Sequence, residues 1–102
     1  MLRLLNGIVQ TKIMIGNQMP NTSQKTVTTT ATLLVTANRA DQVVYLHSSS
    51  GTIYLGNSDV TTSTGYRMDN GDKLTMQLSD NEALYGIVSS GTATMMVMAT
   101  VS

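Results

Sequence analysis

The segment Lys73-Leu74-Thr75-Met76-Gln77-Leu78 alternates polar and apolar side chains without a fault. A period of two puts Leu74, Met76 and Leu78 on one face of an extended strand and Lys73, Thr75 and Gln77 on the other; a helix would scatter them. The stretch 93–101 repeats the pattern over a longer run. Ala93, Met95, Val97, Ala99 and Val101 share one face, with Thr94, Met96, Met98 and Thr100 on the other. Around Met96 and Met98 this strand is apolar on both faces, and such strands are usually covered on both sides. In a domain this small the second cover is expected to be another subunit, which makes Met96 and Met98 candidate interface residues.

Other β-branched and aromatic runs fall at Ile8–Ile15, Ala31–Thr36, Val43–His47, Thr52–Gly56, Tyr66–Met68 and Leu84–Val88. Ser48-Ser49-Ser50-Gly51 and Ser89-Ser90-Gly91-Thr92 each join two such runs and predict two β-hairpins. Asp69-Asn70-Gly71-Asp72 predicts a tight turn of type I′. The polar segment Asn57–Gly65 has the length to carry the chain from one sheet to another. Asp80–Leu84 supports one helical turn at most. Seven or eight short strands at this spacing predict an all-β fold, an antiparallel β-sandwich or a flattened small barrel.

The chain divides into an extended N-terminal arm, residues 1–30, and a β-sandwich domain, residues 31–102. Pro20 is the single proline and opens the polar stretch Asn21–Thr26, which reads as a linker or hinge. Arg3, Lys12 and Lys25 lie in the arm with no acid among them. Ile13 and Ile15 belong to a run too short to make a stable sheet alone. The arm is therefore expected to dock on a neighbour, with Arg3, Lys12, Ile13, Ile15 and Lys25 as candidate contacts.

Charged residues make up 12% of the chain, against roughly 25% in ordinary soluble domains, and the formal net charge is zero. Self-repulsion does little to keep copies apart. Spread cations fall short of a nucleic-acid patch. No run approaches the ~20 apolar residues of a membrane span or resembles a signal peptide, so synthesis in the cytoplasm is expected. The absence of cysteine closes disulfide and thiol chemistry.

Catalytic constellations are missing too. His47 is the single histidine and reads as a strand-surface or interface residue. Asp69, Asp72, Asp80 and Glu82 sit where turns require them, and no calcium-loop spacing is present. The tyrosines 45, 54, 66 and 85 are expected to complete the core and its rim; the other reading is a sugar-stacking platform. No enzyme activity, cofactor, metal or small-molecule substrate is expected.

The order Ala37-Asn38-Arg39, Tyr45-Leu46, Ser50-Gly51-Thr52-Ile53-Tyr54-Leu55-Gly56-Asn57-Ser58-Asp59-Val60-Thr61, Gly65-Tyr66, Gly71-Asp72, Leu84-Tyr85-Gly86-Ile87 and Ser90-Gly91-Thr92-Ala93 resembles small β-sandwich virion proteins of tailed bacteriophages. The resemblance covers about residues 31–101. It implies a head decoration (cement) protein that binds the major capsid protein, stabilises the head and forms a homotrimer on the virion surface. The alternative it implies is a head-fibre or tail module recognising host-surface glycans.

Overall fold

Among the described residues, 21–101, the alternating runs become eight strands of a computed structural model. They are β1 (Asn21–Val27), β2 (Thr32–Val35), β3 (Gln42–Ser50), β4 (Ile53–Gly56), β5 (Tyr66–Met68), β6 (Lys73–Leu78), β7 (Leu84–Ile87) and β8 (Ala93–Val101). The run Ile8–Ile15, with the candidates Arg3, Lys12, Ile13 and Ile15, lies outside the described residues.

Two four-stranded antiparallel sheets form, in the orders β1-β8-β3-β6 and β2-β7-β4-β5. The pairs β1·β8, β2·β7, β3·β6 and β4·β5 are those of one long hairpin folded back at residues 57–65. Successive pairs go alternately to the first and second sheet, so the hairpin is rolled up. The contacts β8·β3 and β7·β4 then close each sheet. This is the jelly-roll arrangement of a β-sandwich, and the all-β antiparallel expectation holds.

The connections differ from their sequence reading. The segment Ser48–Gly51 does not fold β3 and β4 into a hairpin; it carries the chain from the first sheet to the second. Ser89–Thr92 carries it back between β7 and β8. The reason is the second apolar partner that each strand finds: β3 pairs with β6 and β8, and β4 with β5 and β7. Conversely Asn57–Gly65, read as the crossing, stays within the second sheet. Asp69–Asp72 is a sheet-to-sheet corner as well. Asp72 N–H donates to the Asp69 carbonyl at 2.9 Å, closing a turn in which Gly71 has φ +89° while Asn70 keeps a negative φ. Positive φ at the third position alone defines type II, not type I′.

Two other segments also depart. The polar stretch read as a linker is, from Asn21 on, the edge strand β1, paired with β8 along its whole length. Asp80–Leu84 holds no helical turn. Asn81 takes φ +64°, and its N–H donates to the Asn38 carbonyl at 2.6 Å, tying this loop to the one before β3.

Core side chains come from both sheets, among them Val27, Val44, Leu46, Met95 and Val97 from the first and Leu34, Ile53, Leu55, Met68 and Leu84 from the second. Leu74, Met76 and Ala99 pack against this cluster from its border. Among the described residues two polar side chains are buried as well. Ser48, fully enclosed, donates its hydroxyl to the Gly51 carbonyl at 3.0 Å, and Gln42 donates its amide to the Thr36 carbonyl at 3.0 Å. Each buried donor thus has an acceptor, as buried polar groups require.

Candidate functional site

The longest strands, β3 and β8, lie side by side at the centre of the first sheet. Their inward residues fill the core, so period two sends Tyr45, His47, Met96 and Met98 to the outer face. The register aligns these with the edge strands in two rows. Thr22, Met98, Tyr45 and Thr75 form one; Gln24, Met96, His47 and Lys73 form the other. Together they line a shallow trough of about 720 Å³.

The centre of the trough is apolar and its margins are polar. Met96, Met98 and His47 are half-buried among their neighbours, while Tyr45 is 41% exposed. Thr22, Gln24, Thr75 and Lys73 form an exposed rim. Methionine and tyrosine inside a polar border match the composition of protein–protein interfaces. Methionine also adapts its shape to what it meets.

Of the expected contact residues, Met96 and Met98 lie together in this trough. Lys25 does not join them: it pairs with Met95 and so faces the core side of β1. An inward-pointing charge on an edge strand discourages another strand from adding there. His47, read from the sequence as a strand-surface or interface residue, and Tyr45, read as core or rim, each stand one residue from core positions in the alternation Val44, Leu46, Ser48 and so face outward.

The tyrosines do not complete the core. Tyr66 is 64% exposed, and Tyr54 and Tyr85 are half-buried on the outer face of the second sheet, near Leu33, Ile87 and Arg67. The loop 57–65 folds over the same sheet and presses Val60, 5% exposed, between Gly56 and Gly65. The Asn57 side chain accepts from Asp59 N–H at 2.9 Å, and Thr61 and Thr64 exchange bonds between each hydroxyl and the other's backbone N–H. The run Tyr54–Thr61 therefore spans the end of β4 and the first part of a self-packed loop.

The acidic residues serve turns. Asp72 accepts from Asp69 N–H at 2.8 Å and Glu82 from Ser79 N–H at 2.8 Å. Asp69 also takes an exposed ion pair from Arg67 at 2.7 Å; this hydrogen bond, reinforced by its charge, raises the Arg67 guanidinium above its ordinary value. Among the described residues no three His, Cys, Asp or Glu side chains converge as a metal site would need.

No protein-family model matches the chain, and no curated protein matches it. Among solved structures it is similar to a protein of Bacillus endospore appendages, described as a novel family of disulfide-linked pili. That likeness has 14% identity, covers 88% of this chain and 96% of that chain, and gives a TM-score of 0.46. It is too remote to bear on function, and this sequence has no cysteine with which to form such links.

Proposed function

We propose that the chain is a non-catalytic structural subunit, a bacteriophage capsid decoration protein that binds the major capsid protein and assembles through the outer face of its first sheet. The carrying observation is the trough, an apolar centre of Met96, Met98 and Tyr45 with a polar rim on a β-sandwich. Low charge and zero net charge favour association over repulsion. The virion setting and the homotrimer rest on the phage resemblance of residues 31–101.

Incubation with bare expanded capsids, followed by sedimentation, tests this reading. Saturable co-sedimentation with the shell is expected. Absence of binding, with the protein folded, would overturn the decoration role.

The exposed Tyr45 ring, bordered by the hydrogen-bonding side chains of Thr22, Gln24 and Thr75, favours a second reading as a glycan-recognising fibre or tail module. Electron microscopy of the parent particle separates the two by showing this mass on the shell or on the tail.

A further inference from the structure

We propose that the trough on the first sheet receives residues 8–15 of a second copy of this chain, an inference that rests on reading the trough as a subunit contact. In Ile8-Val9-Gln10-Thr11-Lys12-Ile13-Met14-Ile15, an extended strand would put Val9, Thr11, Ile13 and Ile15 on one side and Ile8, Gln10, Lys12 and Met14 on the other. The first side offers branched aliphatic groups to Met96, Met98 and Tyr45. The second turns Lys12 to solvent, away from Lys73 on the rim. Eight residues extend about 26 Å, enough to cross four strands spaced by ~4.8 Å.

The placement of Asn21 favours this occupant. The twenty residues before it join the first sheet at edge strand β1, one residue from the trough's rim at Thr22. Addition of the segment as a further strand beside β1 is discouraged by Lys25 on the inward side. A return onto the same molecule's trough is disfavoured by the joining sequence Gly16-Asn17-Gln18-Met19-Pro20. Pro20 biases Met19 away from compact backbone, which leaves three residues to reverse the chain. Outward, the full twenty residues reach up to about 65 Å, ample for a neighbouring trough. Each copy thus offers one segment and one trough, a heterologous contact that closes into a ring where the rotation permits, a trimer included.

The cysteine-free sequence makes the test clean. Full-length Ile13→Cys and Met98→Cys single variants, one carrying a mass tag, are mixed, oxidised mildly and run without reductant, with Ile13→Cys mixed with Tyr85→Cys as the control pair. A tagged–untagged heterodimer is expected from the first mixture at several times the yield of the control. Cross-linking no greater than the control would overturn the proposal, as would an Ile13→Cys/Met98→Cys double variant that links only within one chain. Light scattering distinguishes the two levels of the account. Full-length Ile13→Asp/Ile15→Asp is expected to lose the oligomer, as Met96→Lys/Met98→Lys does. If only the methionine variant loses it, the trough is a contact with another occupant; if neither does, the subunit-contact reading itself fails.

Discussion

Val60 occupies the space that a side chain on Gly56 would need: a Cβ there would lie 2.7 Å from Val60 Cγ2. The same methyl would meet a Cβ on Gly65 at 2.9 Å, and the Tyr54 Cβ stands 2.6 Å from that position. The two glycines form a slot on the second sheet, and Val60 plugs it. Gly56→Ala and Gly65→Ala are therefore expected to destabilise by about 1–3 kcal/mol through overpacking. Val60→Ala should cost about 1–2 kcal/mol by giving up buried methyl groups. Urea denaturation of the three variants measures this, and an unchanged midpoint for Gly56→Ala would contradict the slot.

Ser48 is fully buried at the corner between β3 and β4, with its hydroxyl on the Gly51 carbonyl at 3.0 Å. Its backbone also joins two corners: the Ser48 N–H donates to the Asp72 carbonyl at 3.0 Å, and the Gly71 N–H donates to the Ser48 carbonyl at 2.7 Å. Ser48→Ala is expected to cost about 1–2 kcal/mol in denaturant, the penalty for a lost buried hydrogen bond. Ser49→Ala, on an exposed side chain, should cost clearly less.

The turn at Asp69–Asp72 gives a test of geometry. In a type II turn, Asn70 stands where proline is preferred, so Asn70→Pro is expected to be tolerated or to stabilise by about 0.4–1 kcal/mol. A type I′ turn would require a positive φ at that residue, which proline cannot adopt. A sharply lowered melting temperature for Asn70→Pro would contradict type II.

The Arg67–Asp69 pair lies on the surface, with the two side chains 63% and 55% exposed. Asp69 raises the guanidinium, so any stability from this shift is fully present below the ordinary arginine value and is lost only as pH rises through the raised one. That window lies far above the working range. Arg67→Ala is therefore expected to leave the urea midpoint within error from pH 5 to 9, because water screens the exposed pair.

The faces of the strands were legible in the sequence, and their partners were not. Period two assigns Leu74, Leu78, Met95 and Val97 inward and Met96 and Met98 outward, as the structure has them. A Ser-Ser-Gly corner, however, looks the same whether the chain reverses in one sheet or bends into the next; that choice depends on strands distant in sequence. For the same reason the length of Asn57–Gly65 suggests a crossing between sheets, and only Val60 in its slot shows why this long loop stays on its own sheet. In β1 the absence of apolar residues before Val27 concealed the strand: Asn21, Ser23 and Lys25 are polar although they share the face of Val27, and only the pairing with β8 identifies them as strand residues. The trough was half legible: Met96 and Met98 marked it, while Tyr45 and His47 joined them through the β3·β8 register.

Light scattering on a sizing column, comparing the native chain with Met96→Lys/Met98→Lys, tests most directly whether the outer face of the first sheet is an assembly surface. Both substitutions leave the core side of β8 untouched, so the strand-type circular dichroism spectrum should persist in the variant. The account predicts an oligomeric mass, a trimer in its specific form, for the native chain and a monomer mass for the folded variant. A native monomer, or an oligomer whose mass survives both lysines, would contradict it.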